Sequence, residues 1–253
     1  MAAKAARSRA QGTLSEKAAA TKARILAAAV AEFTDKGFSG ARVDAIAAAA
    51  TINKRMLYAY FGNKEDLWLA VLENAYGQKR NEERLLAVER LAPTDAMGML
   101  VSFNLRYVLN HPEFVRILNE ENLHHAQFLR NSSLIPALYP PMLTLLDAVL
   151  ARGVAQGIFR HGIDPLQLYI TIMALGHFYV GNQHTLSAIF GQDLTTAQAA
   201  IARERHCIDV ILHYLRPDCG PGNTLGEAVA GHARRGSRRA TSEKAPARTR
   251  LET

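Results

Sequence analysis

The chain has 253 residues, 49% of them hydrophobic, enough to bury one sizeable core or a small core beside a larger one. Its net charge of +7 favours a polyanionic partner without identifying it. Two cysteines, Cys207 and Cys219, are too few for a disulfide framework or a zinc site, so we expect a reducing, cytoplasmic location. We find no apolar run as long as a membrane span and no signal-peptide centre in the alanine-rich N-terminus, and we expect no membrane partner.

The two ends of the chain differ in composition from its middle. Residues 1–20 are alanine-rich with scattered cations, and residues 217–253 are rich in Pro, Gly and Arg and nearly free of large apolar side chains. Neither segment can offset the entropy of ordering itself. Both are therefore predicted to be disordered and basic, an arm and a tail.

Residues 21–76 are predicted to form a small helical domain. Its first helix begins at Thr21, whose hydroxyl can cap it, and ends at Gly37, with apolar residues at helical spacing in between. A short second helix covers roughly residues 43–50. Its inward positions are Val43, Ile46, Ala47 and Ala50.

A three-residue turn, Thr51 to Asn53, separates the second helix from a third. The side chain of Asn53 suits the N-cap of the third helix, and that of Asn63 suits the N-cap of a fourth. Within the third helix, Leu57 and Phe61 lie one turn apart on one face, which must rest on a neighbour. Short helix, turn and short helix together predict a helix-turn-helix.

The other sides of the third helix carry groups that suit a nucleic acid. Cations, phenol hydroxyls and a small side chain dock on phosphates and on base edges in a major groove. The residues on these sides are Lys54 with Tyr58, Arg55 with Ala59, and Met56 with Tyr60.

The order and spacing of these residues resemble the N-terminal signature of TetR/AcrR-type regulators. The resemblance rests on Phe33, Gly37, Phe38, Val43, Ile46-Ala47, Leu57-Tyr58, Tyr60-Phe61, Lys64 and Leu67. It implies an all-α protein with an N-terminal three-helix helix-turn-helix head that binds DNA. A helical bundle that binds a small-molecule effector and dimerises is expected to follow.

The same resemblance implies which residues contact the DNA. Tyr58, Tyr60 and Lys64 match positions that hold the backbone, whereas Arg42 and Lys54 to Met56 match positions that face the groove. The predicted DNA-binding set is Arg42, Thr51, Asn53, Lys54, Arg55, Met56, Tyr58, Ala59, Tyr60 and Lys64. The N-terminal arm either solubilises the protein or reaches a minor groove or phosphates beside the site.

The chain departs from the family pattern at three positions in or near the helix-turn-helix. Thr51 stands where glycine is usual in the turn, Asn53 where serine or threonine is usual, and Ala41 where a threonine commonly begins the second helix. Thr51 must therefore adopt a turn conformation that glycine reaches more easily, and the cap of the second helix has no assigned residue.

Residues 77–216 are predicted to be a helical effector-binding and dimerisation domain, and no strand pattern is found. The predicted helices run from Thr94 to Asn110, from Pro112 to near Arg130, from Pro140-Pro141 to Gly157, from Asp164-Pro165 toward Thr185, and from a capping box of Thr195 and Gln198 to Leu215. The last two helices have more apolar circumference than one monomer contact needs, and in the resembling family they form a four-helix bundle with a second copy.

Two sets of residues in this domain are candidates for function. The predicted dimer interface is Ile170, Ala174, Phe178, Ile201, Ile208 and Leu212, with a buried monomer core as the alternative. The predicted effector site is Arg116, Glu121, Asn122, His125, Met173 and His177. It rests on two stripes, one after Pro112 and one after Pro165, in which polar groups interrupt an apolar face and need partners. A Glu–His pair satisfied within the core is the alternative.

The domain also resembles, over short segments, the subgroup of the family that senses pyrimidines and nicotinate-type acids. These segments are His111 to Phe114, Glu121-Asn122, Gly157 to Phe159, Asp164-Pro165 and Asn182 to His184. The resemblance implies a compact planar effector, with Arg116 or Arg130 for a carboxylate and Asn122 and His177 for ring heteroatoms.

Two other classes of protein compete with a ligand-released dimeric repressor on a palindromic operator. A non-specific nucleic-acid-binding protein would account for the basic ends but not for the capped helix-turn-helix. A metal-dependent enzyme using the Glu/His cluster would need ligands three or four residues apart on one helix, whereas His177 and His184 are seven apart. We therefore expect no catalytic residue, no metal and no cofactor.

Overall fold

In a computed structural model of the chain, residues 2–217 are described, with side chains from residue 16 onward. This part of the chain forms ten α-helices and no strand, which confirms the all-α prediction. The helices are α1 (Ala2–Gly40), α2 (Val43–Ala49), α3 (Lys54–Phe61), α4 (Lys64–Arg84), α5 (Pro93–Asn110), α6 (Pro112–Leu123), α7 (Leu134–Leu138), α8 (Pro140–Ala155), α9 (Pro165–Phe190) and α10 (Ala197–Tyr214).

Helix α1 begins well before the predicted start at Thr21. The Thr21 hydroxyl donates to the carbonyl oxygen of Lys17 (2.9 Å), so this residue lies inside the helix and does not cap it. The segment before it is alanine-rich, and alanine has the highest helix propensity. The regular helix ends at Gly37 (φ +68°), as predicted. The predicted tail lies outside the described residues from position 218 onward.

The capping predictions around α3 are confirmed. Asn53 Oδ1 accepts a hydrogen bond from the Met56 amide (2.8 Å). Asn63 and Asp66 form a capping box, in which Asn63 Oδ1 accepts from the Asp66 amide (2.7 Å). Leu57 and Phe61 are buried in the head, which orients the remaining sides of α3 outward.

The turn before α3 holds Thr51 in the left-handed region (φ +57°). This conformation costs an L-residue about 1–2 kcal/mol, and glycine avoids most of that strain but is more flexible when unfolded. We expect Thr51→Gly to raise the free energy of unfolding by about 0.5–1 kcal/mol in urea titrations. Ala48→Gly, at an exposed position in neighbouring α2, should lower it by about 1 kcal/mol. If Thr51→Gly instead lowered the free energy of unfolding, the left-handed conformation of Thr51 would not be strained.

The body differs from the prediction at several helix ends. Helix α4 continues to Arg84, α9 continues to Phe190, and a short helix, α7, lies in the predicted irregular link. The N-cap of α10 is Thr196, which accepts from the Ala199 amide (3.2 Å), and not Thr195, which is occupied by Asp193. The predicted Asp164 cap on α9 is confirmed, because its carboxylate accepts from the Leu166 amide (2.8 Å).

Helix α6 ends at Leu123, about seven residues before the predicted end. His125 and Ala126 then take left-handed φ angles of +54° and +58°, which no helix continues. His125 is exposed in this turn. The prediction that it shares a helix face with Glu121 is therefore wrong.

The stretch Leu134–Ala155 is long and apolar enough to cross a membrane by length and composition, contrary to the expectation from the sequence. The stretch is divided at Tyr139 into α7 and α8, where two consecutive prolines open the second helix. Helix α8 packs against α5 and α9, and its Met142, Leu146, Val149 and Leu150 belong to the core of the body.

Two cores of buried side chains organise the protein. The head core gathers α1 to α3 and the first half of α4 around Phe33, Leu57 and Trp68, and the body core gathers α5, α8, α9 and α10. The head core also includes Ile117 from α6 and Phe128 from the turn after it. Because α6 and this turn come from the body sequence, head and body are joined by packed side chains as well as by α4.

Candidate DNA interface and effector site

The outward sides of α3 form one exposed polar surface. Lys54, Arg55, Met56, Tyr58 and Ala59 are all exposed on it, and Thr51 and Asn53 are exposed in the turn before it. Tyr60 is half-buried against the head core, so only part of its ring faces outward. The side-chain oxygen of Asn53 accepts the capping bond, and its side-chain NH2 group is a donor for a base or phosphate.

The cations beside α3 are held in place by neighbouring groups. The Lys54 ammonium lies 3.0 Å from Asp44 Oδ1, and this partner raises the pKa of Lys54. The Lys64 ammonium donates to the Ser39 carbonyl oxygen (3.4 Å) and lies over the Phe38 ring. Arg42, also exposed, donates its backbone amide to Glu32 Oε1 (3.1 Å), which lowers the pKa of Glu32. A cationic rim therefore surrounds the tyrosine-bearing face of α3.

Glu121 is buried at the junction of head and body. Its Oε2 accepts from Trp68 Nε1 on α4 (2.8 Å), and its Oε1 accepts from the amides of Phe128 (3.1 Å) and Leu129 (2.8 Å). Both carboxylate oxygens are thus used to fasten α4 and the turn after α6. Glu121 is therefore satisfied within the core, as in the alternative to an effector role, although its partners are Trp68 and two backbone amides and not a histidine.

A second carboxylate, Glu120, ties α6 to the end of α1. Its Oε1 accepts from the Phe38 amide (2.7 Å). A Cβ at Gly37 would lie 2.9 Å from the same oxygen, which can shift because it ends a flexible side chain, so it is the positive φ that favours glycine there. The C-terminal half of α6 therefore contacts the end of α1 through Glu120 and α4 through Glu121.

The predicted effector residues are only partly brought together. Arg116 and Asn122 are exposed on α6, and the Asn122 amide donates to the Leu118 carbonyl oxygen (2.8 Å). They do not line an enclosed site, because both side chains are exposed, whereas Phe114 and Ile117 of the same helix are buried. Met173 and His177 of α9 do face the interior, and the His177 ring lies 6.4 Å from the Phe114 ring.

A buried charged cluster on α4 was missed by the sequence analysis. Lys79, Arg80 and Glu83 are each at most 3% exposed. Their spacing continues the buried stripe of Leu72 and Ala75 along α4, so a longer fourth helix would have predicted their burial. The fourth helix was predicted to end near Tyr76.

The cluster is surrounded by aromatic rings. Glu83 pairs with Arg80, whose guanidinium donates to the Tyr169 hydroxyl (3.3 Å) and lies 5.3 Å from the centre of the Tyr139 ring. Burial raises the pKa of Glu83, and burial also raises that of Tyr76 to about 12. One Glu83 oxygen and the Arg80 Nε have no partner among the described residues.

Two comparisons identify the parts of the chain. Residues 25–71 match the family of bacterial regulatory proteins of the tetR type, and residues 93–211 match the tetracyclin repressor-like C-terminal domain. The chain is also 38% identical over 205 residues to the HTH-type transcriptional repressor NicS of Pseudomonas putida, covering 81% of this chain and 97% of that protein. The chain belongs to the TetR family of transcriptional regulators.

Solved structures that align with about three quarters of this chain share its fold. A bacterial regulatory protein of the tetR family from Rhodococcus RHA1 aligns with a TM-score of 0.61 at 18% identity, covering 78% of this chain and 97% of that one. The regulator FadR from Bacillus subtilis, solved with stearoyl-CoA, aligns with a TM-score of 0.55 at 20% identity, covering 75% and 96%. In this TetR-family chain, α2, the turn after it and α3 form the helix-turn-helix and lie within the residues that match the tetR-type family.

The TetR-family body of this chain also borders a partly open cavity of about 360 Å³. It lies where α1 of the head meets α4, α5 and α6. Its walls include Leu26 and Ala27 of α1, Asn74 and Gln78 of α4, Tyr107 and Phe114. Within residues 16–217, no group of three or more His, Cys, Asp or Glu side chains is arranged to hold a metal ion.

Proposed function

We propose that the protein is a homodimeric repressor that leaves a palindromic operator when a small-molecule effector binds between its helices. The observation that carries this proposal is the rigid connection between α3 and the body, made by the capping box of α4 and by the buried bonds of Glu121. A movement of α4 in the body must move the head with it. Coupling of this kind is typically about 1–3 kcal/mol, roughly a 5- to 150-fold change in operator affinity.

The apolar surface of α9 and α10 supports a dimer. Ile170, Ala174 and Phe178 are exposed at successive turns of α9, and Ile201 is exposed on α10. Ile208 and Leu212, at helical spacing from Ile201 on α10, are half-buried. Exposed apolar side chains on two helices favour a self-complementary contact. Two recognition helices about 34–36 Å apart, or farther in some arrangements, then bind two half-sites.

The effector we propose is a small planar compound, either a heteroaromatic acid or a pyrimidine-like molecule. Of the residues predicted to bind the effector, Met173 and His177 face the interior, and we propose that they contribute to effector binding. Aromatic side chains and few polar groups around them suit a flat ring better than a long chain. The protein then acts in the cytoplasm and has no enzymatic role.

Binding to the upstream intergenic DNA tests the proposal. Tyr58 is 40% exposed on α3, so Tyr58→Ala removes a surface group and should leave stability unchanged. Losing one bond to a charged phosphate is worth about 1.5–3 kcal/mol, so we expect operator affinity to fall roughly 10- to 150-fold in gel-shift titrations with unrelated competitor DNA.

The matched control is Tyr214→Ala, an equally exposed tyrosine on α10 far from α3 in the sequence. It should bind operator like the wild type. Binding that any DNA competes away, and that is indifferent to Tyr58, would instead indicate a non-specific protein whose affinity is mostly charge.

A further inference from the structure

The body contains a lysine that lacks a carboxylate partner. Lys79 is 1% exposed, and its ammonium donates to Asn104 Oδ1 (2.8 Å) and lies 3.0 Å from Met173 Sδ. No carboxylate of the described residues lies within 4 Å of it, because Glu83 pairs with Arg80 instead. An ammonium has three donors, and here they meet one good acceptor and one weak one.

Two aromatic rings lie close to this ammonium, and the buried Arg80 and Glu83 are the charged groups that act on it. The rings of Tyr107 and Phe114 lie 5.8 and 5.5 Å from the nitrogen. Burial, together with the charge of Arg80, lowers the pKa of Lys79 to about 7. His177, beyond Phe114, has its pKa lowered by burial and by Lys79, and its Nδ1 has no partner among the described residues. An anion at this place would stabilise the charged lysine.

The cavity at the head–body junction shares two walls with this lysine. Tyr107 and Phe114 line the cavity on one side and face the ammonium on the other. Ala75, one turn before Lys79 on α4, lines the cavity as well. A volume of about 360 Å³ is enough for a compound with one ring.

We propose that this cavity is the effector site and that the effector is a small aromatic monoanion whose carboxylate pairs with Lys79. A change of rotamer at Phe114 or along the flexible Lys79 side chain joins the ammonium to the cavity. The ring then lies against Tyr107 and Phe114, and the amides of Asn74 and Gln78 can bond its heteroatoms. Lys79 is not itself a wall residue of the cavity, and the one charged side chain among the described residues that lines it, Glu113, has its carboxylate 2.9 Å from His111 Nδ1.

This inference rests on the proposed function and adds the charge and the position of the ligand. Because α1 supplies Leu26, Ala27 and Val30 to the cavity, a bound ring touches the head directly. It also touches α4, whose N-terminus leads to the recognition helix. The ligand therefore acts at the junction of head and body, and its effect on the head does not have to pass through the body core.

Calorimetric titration of the full chain with matched pairs of acid and amide tests the charge. The probes are nicotinate against nicotinamide and benzoate against benzamide. We expect the acid of at least one pair to bind at least tenfold more tightly than its amide. In Lys79→Met, which keeps an unbranched apolar chain of four heavy atoms but removes the ammonium, this ratio should fall to about one while the affinity for the amide stays unchanged.

A filled cavity tests the position. Ala27→Phe places a ring into the cavity and should weaken binding of the acid at least tenfold, whereas Ala31→Phe, exposed on α1 and not lining the cavity, should not. Acids that bind no better than their amides, or that keep their preference in Lys79→Met, overturn the proposal. Specific operator binding by the wild type is measured separately, so failure of the repressor function would be seen there and not in these ratios.

Discussion

Replacing Glu121 by alanine is expected to lower the free energy of unfolding by about 3–5 kcal/mol, the largest stability change we predict. The substitution leaves three buried donors without an acceptor: Trp68 Nε1 and the amides of Phe128 and Leu129. Each unsatisfied buried donor costs about 1–3 kcal/mol, and partial hydration of the vacated space offsets some of this. Urea unfolding, monitored by fluorescence at fixed protein concentration, measures the loss.

The chain is well suited to this measurement because Trp68 is its one tryptophan and contacts Glu121 directly. The control is Asn122→Ala at the adjacent, exposed position, where the only bond lost is to a carbonyl within α6. That variant should stay within about 0.5 kcal/mol of the wild type. If Glu121→Ala were equally mild, the carboxylate would not be what holds α4 to the turn after α6.

Replacing Phe178 by aspartate is expected to raise the dimer dissociation constant about a thousandfold or more. Phe178 is 62% exposed in the monomer, at the centre of the proposed α9 contact. A dimer buries two copies, so the substitution removes two aromatic contacts worth about 1.5–3 kcal/mol each and adds two buried charges. Sedimentation equilibrium measures the constant, and operator affinity should fall with it because the two half-sites are no longer bound together.

Leu85→Asp is the matched control for Phe178→Asp. Leu85 is 82% exposed directly after α4, outside the proposed interface. It should leave both the dimer and operator binding unchanged. A Phe178→Asp protein that still sediments as a dimer would place the contact on another surface of α9 and α10.

Local sequence signals predicted the helix caps of Asn53 and Asn63 in the head and of Asp164 in the body. These side chains bond their own helix, so their role depends on neighbours a few residues away. Leu57 and Phe61 likewise followed from helical spacing alone. The conformation of Thr51 was predicted from the glycine usually found in that turn.

The effector site was less predictable because it depends on contacts between distant segments. Glu121 was expected to need a partner, but nothing local shows that the partner is Trp68, 53 residues earlier. His125 was assigned to the helix after Pro112, but that helix ends two residues before it, and His125 itself has a left-handed backbone conformation. Lys79 and Arg80 lie beyond Tyr76, where the fourth helix was predicted to end, and charged residues are almost never fully buried unless paired, so neither was a candidate for the core.

The sharing of the head core between two parts of the chain limits how such regulators can be recombined. Ile117 and Phe128 pack among head residues, and Glu120 and Glu121 bond to Phe38 and Trp68. A chimaera that joins residues up to Tyr76 to the body of another regulator would lose all four contacts at once. Swapping DNA specificity between relatives should therefore succeed when α6 and its following turn travel with the head, or when only the outward residues of α3 are exchanged.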